Sequence, residues 1–279
     1  MGKFSCSDYT FPLLSREQVL RLLPLLGIEA IDIGLFARST HYRPSDLMRG
    51  PVGYAVQARR ELRENGLAAS DVFLQIGAEP SMFAVNDPDP AARVGNRDVF
   101  NRAVEFAAAI GCGHITGLPG VFHPELERTQ DFDLAAEEAA WRVETAHRGG
   151  LVYSVEPHMG SICPTPEAAS RLLDRAAGLT LTLDYGHFIA AGIANADVHR
   201  LVPHVSHVHV RGGCPGKLQA AVEDNTIDFA GLVERLRIAQ YSGFLCLEYV
   251  WIDWQGCNRT DNISETLLLR RALESMGSL

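Results

Sequence analysis

The sequence predicts an α/β fold, a (β/α)8 TIM barrel forming a single domain over residues 1–279. Two observations carry this reading. Short β-branched runs alternate with amphipathic stretches from one end to the other, with no Pro/Gly/Ser-rich linker between them. There are eight such runs, and parallel strands joined by crossover helices close into a barrel at that number.

In chain order the predicted strands are KFSCSDY (3–9), IEAIDIG (28–34), DVFLQIG (71–77), GHITGL (113–118), LVYSVE (151–156), LTLTLD (179–184), VSHVHV (205–210) and FLCLEYV (244–250). Helical spacing of apolar residues follows most of them, in SREQVLRLLPLL (15–26), NRDVFNRAVEFAAAI (96–110), DLAAEEAAWRVETAHR (133–148), TPEAASRLLDRAA (165–177) and DFAGLVERLRIA (228–239). Ser, Asn, Asp or Thr stands at each start, where a side-chain oxygen can cap the first turn. An open doubly wound sheet would show the same alternation but needs a strand, a Gly-rich turn and then a helix. GCGHITG (111–117) has the reverse order, helix before and strand after, so it reads as a helix C-cap entering the fourth strand.

Composition narrows the function. With 47% hydrophobic residues the chain can bury a large core, and its formal charge of −9, from 25 basic and 34 acidic residues, gives no reason to expect nucleic acid as a partner. The six cysteines form no CxxC pair and several lie in apolar runs, as expected of reduced thiols in a cytoplasmic protein. No apolar run is long enough to span a bilayer, the N-terminus lacks a signal-peptide pattern, and MGKFSC carries Cys6 where a myristoylation signal needs Ser or Thr. A small-molecule substrate and no membrane or nucleic-acid partner are the expectation.

Alternate strand residues point to opposite faces. In the fifth strand Val152, Ser154 and Glu156 share one face, in the sixth Thr180, Thr182 and Asp184, and in the eighth Phe244, Cys246 and Glu248. The bulky aliphatic faces should meet the helices, so these smaller or more polar faces should line the barrel. The seventh strand adds His207 and His209, with Arg211 next in line. Glu156, Asp184, His209 and Glu248 thus converge at the C-terminal rim, where barrel enzymes place their chemistry. A single acid at a strand end is usually a cap or a solvated loop residue. Three acids and an imidazole in register would repel and desolvate one another without a cation, and mainly oxygen donors favour Mn2+, Mg2+ or Co2+. Gly186 should allow a bend that brings His187 over the same site. His114, His204 and His207 read as packed or hydrogen-bonded residues, His123 as a loop residue near the rim or an exposed one, and Trp251 and Trp254 as packing or as a cover for a sugar face.

The motifs SVEPH (154–158), TLDYGHF (182–188), HVHVRG (207–212), IDFAGLVERL (227–236) and GFLCLEYV (243–250) together resemble the sugar phosphate isomerase/epimerase superfamily, the xylose isomerase-like TIM barrels that include ketose 3-epimerases, inosose dehydratase and endonuclease IV. The likeness in motifs covers about residues 150–275. It implies a metal-dependent isomerase or epimerase of carbohydrate metabolism. Glu156, Asp184, His209 and Glu248 would hold one divalent metal, commonly Mn2+. Glu156 and Glu248 would also be the catalytic acid/base pair, moving a proton next to a carbonyl through a metal-stabilised enediolate. His187, Arg211 and His158 would bind the sugar or sugar derivative, and relatives of this kind imply a homo-oligomer. A dehydratase or lyase acting on a keto-inositol or ketoglycoside is the alternative, because the same groups can expel a β-leaving group. An endonuclease IV-like nuclease is disfavoured, since HVHVRGG lacks the further acid of that metal cluster. The same loop departs from ketose epimerases, leaving Arg211, Lys217 and Gln219 as candidates for a carboxylate, a phosphate or a larger glycoside.

Overall fold

The computed structural model describes residues 3–277. Its strands are β1 (Lys3–Ser7), β2 (Ala30–Phe36), β3 (Ala68–Gln75), β4 (His114–Gly117), β5 (Val152–Val155), β6 (Thr180–Asp184), β7 (Val205–Val210) and β8 (Phe244–Leu247). They close in sequence order into an all-parallel barrel, β8 pairing with β1. All eight predicted strands are present. The third begins at Ala68 rather than Asp71, and the eighth ends at Leu247, before the site residue Glu248.

The larger outer helices begin where the chain supplies caps. Helix α1 (Arg16–Leu25) opens on a reciprocal box between Ser15 and Gln18. Helices α2 (Pro44–Arg49) and α3 (Pro51–Glu64) each start on a proline, whose missing N–H would be unpaired there in any case. Helix α4 (Pro90–Ile110) is capped by Asp89 and not near Asn96, which instead lies buried within it. It ends on Gly111 at φ 84°, the left-handed C-cap expected of GCGHITG. Helix α5 (Arg128–Arg148) starts on a Glu127–Gln130 box and α6 (Pro166–Arg175) on Thr165. After the short α7 (Tyr185–Ala190) and α8 (Asn195–Val198), Asp228 caps α9 (Phe229–Ile238) and Asp261 caps α10 (Asn262–Ser275). No helix among the described residues is long and apolar enough to cross a membrane.

The strand faces divide as the alternation requires. Ile31, Ile33, Leu181, Leu183, Val208 and Leu247 are fully or almost fully buried in one continuous apolar core with the helices. The inside of the barrel is polar, so its groups must satisfy one another. Thr116, Ser154 and Thr182 form a hydroxyl cluster, with Thr116 Oγ1 and Thr182 Oγ1 2.7 Å apart. Deeper, Asp71 holds His114 Nδ1 at 2.6 Å, and His114 Nε2 lies 2.8 Å from Ser206 Oγ. Between β6 and β7 the register slips, Leu181 facing Val205 and Thr182 facing His207. This irregularity turns both Ser206 and His207 into the interior: Ser206 reaches Thr180, and His207 reaches Asp32 at 2.5 Å.

The mouth is braced at Asp8, just past β1. Its carboxylate accepts hydrogen bonds from Gly34 N (2.7 Å), Thr40 Oγ1 (2.9 Å) and His41 N (3.0 Å), and lies 2.9 Å from His41 Nδ1. Burial alone would lower the His41 pKa, but the hydrogen bond and charge of Asp8 raise it above its ordinary 6.5. The His41–Asp8 pairing therefore contributes fully below about pH 6.5 and is lost as pH rises through the higher folded-state value. His41→Asn is expected to cost about 1 kcal/mol in urea unfolding at pH 6 and less at pH 9; an equal loss at both would show that the imidazole is uncharged.

Candidate active site at the barrel mouth

Backbone ladders place each predicted site residue. Glu156 N–H continues the β5 ladder to Gly117 O (3.0 Å), and Glu248 N–H continues that of β8 to Val210 O (2.9 Å). Asp184 ends β6 opposite His209 of β7. Their side chains consequently enter the mouth together, and all four are buried.

His209 is the hub. Its Nδ1 lies 2.6 Å from Glu156 Oε1 and 3.3 Å from Glu248 Oε1, while Nε2 lies 3.5 Å from Asp32 Oδ2. Tyr9 donates its hydroxyl to Glu248 Oε1 at 2.8 Å, and Glu248 Oε2 has no hydrogen-bond partner. Arg211 Nη2 donates to Asp184 Oδ2 and lies 3.4 Å from Glu248 Oε2. Gly186 N donates to Asp184 Oδ1 at 2.7 Å, and His187 Nε2 is 3.6 Å from Asp184 Oδ2.

Three of the four predicted ligands, Glu156, His209 and Glu248, bring one donor atom each within 4.8 Å of the others. Asp184 falls in a second such group with Glu156 and His187, and Arg211 Nη2 donates to its Oδ2. Gly186 does bring His187 back over the site, for a reason other than a bend. It sits in α7, and a Cβ there would lie 2.9 Å from Leu218 O and 3.0 Å from Asp184 Oδ1, so only glycine fits.

The two glutamates differ electrostatically. Burial opposes charge on both. At Glu156 the hydrogen bond and charge of His209 outweigh burial and hold the carboxyl low. At Glu248 burial wins and pushes it up to about 7. Asp184 is held low against burial by Arg211 and His187. Burial drives His187 down to about 4 and lowers His158, so both imidazoles are neutral, with His187 Nδ1 and His158 Nε2 unpartnered. Both line a cavity of about 830 Å3 together with Glu156, Arg211, Glu248 and Trp254.

Other expectations fare variously. His114 and His207 are hydrogen-bonded inside the barrel, whereas His204 is exposed rather than packed. His123 is neither free nor exposed: its Nδ1 is 2.6 Å from the buried Asp131. Lys217 and Gln219 do not reach the cavity. Lys217 is exposed near Asp224, and Gln219 holds Val250 N–H and the carbonyls of Val250 and Cys257, fixing the chain after β8. Sequence reasoning missed Asp32 and Tyr9. The signal for Asp32 was there, since an acid in the middle of the apolar run AIDIG must face a polar interior.

The sequence matches the xylose isomerase-like TIM barrel family over residues 21–273. The chain belongs to that family. Solved structures agree in fold. The D-psicose 3-epimerase of Clostridium cellulolyticum H10, solved with D-tagatose, superposes with a TM-score of 0.76 at 13% identity, covering 99% of this chain and 100% of that one. The 3-keto-D-glucoside 4-epimerase of E. coli gives 0.74 at 16% identity, with 99% and 100% covered. A probable 3-DHS dehydratase of Bacillus anthracis gives 0.69 at 13% identity, with 98% of each chain covered. At such identities the likeness is one of fold. No curated protein sequence matches the chain.

For this member of the family, the buried Asp32 is expected to matter to stability. Asp32→Ala would leave His207 and the hydroxyls of Ser5 and Ser70 without their shared acceptor. Removing one partner from such a buried pair costs about 3–5 kcal/mol. Urea unfolding should show that loss, and a loss under about 1 kcal/mol would mean that water reaches the barrel interior.

Proposed function

We propose that this barrel is a divalent-metal-dependent isomerase or epimerase that moves a proton next to the carbonyl of a sugar or sugar derivative. One observation carries the reading: two buried glutamates, Glu156 from β5 and Glu248 from β8, meet at one imidazole nitrogen on the floor of a cavity large enough for a sugar.

The donor set suits a hard divalent cation. His209 turns Nδ1 to the glutamates, and its Nε2, without a hydrogen-bond partner, lies 3.5 Å from Asp32, a carboxylate placed where metal-binding histidines commonly have one. Glu248 Oε2 is buried and unpartnered. Glu156, His209 and Glu248 would hold the ion, Mn2+ in the first instance with Mg2+ or Co2+ as alternatives, and Asp184 would join them when Arg211 releases or shares its oxygen. Bound there, the ion would polarise the substrate carbonyl and ease loss of the adjacent proton.

The residues of the chain do the rest. Glu156, held ionised, takes the proton from carbon. Glu248, the second glutamate at His209 Nδ1, with Tyr9 on its Oε1, would return one. The neutral His158 and His187 offer their free nitrogens to sugar oxygens, and Arg211 adds a cation at the same wall. The barrel wall keeps these groups out of bulk water.

Metal analysis of the purified protein, and turnover of ketoses with and without chelator, test the proposal. Glu156→Gln and Glu248→Gln are each expected to lower kcat by about 10²–10⁴ with the circular dichroism spectrum unchanged, and unaffected turnover in either removes that residue from the mechanism. Stereochemical change without ultraviolet-absorbing product supports epimerisation; appearance of an enone makes the enzyme a lyase. Arg211→Ala, which frees Asp184, should tighten Mn2+ binding in calorimetric titration while raising KM. Weaker Mn2+ binding would make the guanidinium a support of the ion site instead of a competitor for Asp184.

A further inference from the structure

The cavity has two zones. Its floor is polar and closed: Tyr9, Glu156, His158, His187, Arg211 and Glu248 are all buried. Its outer half is open to solvent and sets aromatic and aliphatic side chains beside a few polar ones. Phe36, Phe122, Met159 and Ile252 line it half-buried, and Trp254 is 46% exposed. The zones adjoin, since the Trp254 ring centroid lies 6.1 Å from that of His187. A cavity of about 830 Å3 lies near the top of the range of about 300–1,000 Å3 that encloses drug-sized ligands. A single hexose on the floor would leave the outer zone filled with water against aromatic and aliphatic walls.

Charge narrows what fills that zone. The basic side chains along the cavity are Arg211, committed to Asp184 and Glu248, and Arg38, which is exposed. Glu79 and Asp253 stand at the same rim. One free guanidinium against two carboxylates does not make a phosphate site, which calls for converging cations or backbone N–H groups. Aromatic walls instead suit the face of a second ring, by stacking and burial of C–H surface.

We propose that the substrate is a neutral keto-sugar glycoside, its oxidised ring on the polar floor and a second ring with an apolar face against Phe36, Phe122 and Trp254. This deepens the proposed function and rests on it for the chemistry, though not for the binding. Unreactive glucosides therefore test it without turnover. Calorimetric titration of the full protein would compare phenyl β-D-glucoside and methyl β-cellobioside with methyl β-D-glucoside and methyl β-D-glucoside 6-phosphate. At least one of the two-ring ligands is expected to bind about tenfold more tightly than the methyl glucoside, and which of them does so tells whether the ring is aryl or sugar. Trp254→Ala, at an exposed position, should erase most of that preference while leaving methyl glucoside binding unchanged. Failure of both two-ring ligands to exceed the methyl glucoside, or tighter binding of methyl β-D-glucoside 6-phosphate, overturns the proposal. Turnover then separates the two readings: a two-ring preference with no keto-sugar converted sinks the isomerase, and conversion of free ketoses as efficiently as keto-glycosides sinks this inference alone.

Discussion

Four carboxylates, those of Asp32, Glu156, Asp184 and Glu248, are held out of water in the upper half of one barrel, and the arrangement of the mouth follows from how they are compensated. Each unpaired charge in that position would cost several kcal/mol. The chain meets the demand with two histidines and one arginine, all from β7 or the residue just after it. His207 satisfies Asp32, His209 stands between Glu156 and Glu248, and Arg211 spans Asp184 and Glu248. His207, His209 and Arg211, at alternate positions along β7 and just past it, thereby meet the acids at three successive depths, which requires the interior face of β7 to be continuous. The bulge at Ser206 sets that face in register.

Compensation is unequal, and the inequality is informative. Asp32 is saturated, accepting from Ser5 and Ser70 as well as His207, so it acts as a fixed support. Glu248 is the least satisfied, with one phenol hydrogen bond and one bare oxygen. The gradient from saturated to bare runs from the middle of the barrel toward its mouth. Stability is concentrated where the strands pair and chemical freedom where they end, the division expected of this barrel type.

Much of this was legible in the sequence because a strand has a period of two. The rule that sent Glu156, Asp184 and Glu248 inward needed only their own strands, and the structure places all three there. It reached Arg211 and His209 by the same count. What it could not reach were partners fixed by closure of the barrel. Tyr9 meets Glu248 across 239 positions, and Asp32 meets His207 across 175, only because β8 returns to β1 and the interior is one shared space. The Arg211–Asp184 contact was hidden for a related reason: a side chain can be assigned a face from sequence, but not a choice among several acids on that face. Gly186 shows the opposite failure, a correct position with the wrong cause, since the constraint comes from Leu218 O on another segment.

The same closure explains how two chemically identical side chains acquire different electrostatic surroundings. Glu156 and Glu248 are buried alike, so burial alone would raise both carboxyls equally. Glu156 is closer to His209 Nδ1, at 2.6 Å against 3.3 Å, and receives a full hydrogen bond from it. Glu248 receives a neutral phenol instead, and its nearest guanidinium is 3.4 Å away and already committed to Asp184. A difference of less than an ångström, multiplied by low local polarity, goes with one carboxyl held low and the other raised to about 7. The proposed proton transfer at carbon would draw on that difference, which arises from the positions of β1 and β7 relative to β5 and β8, not from the glutamates themselves.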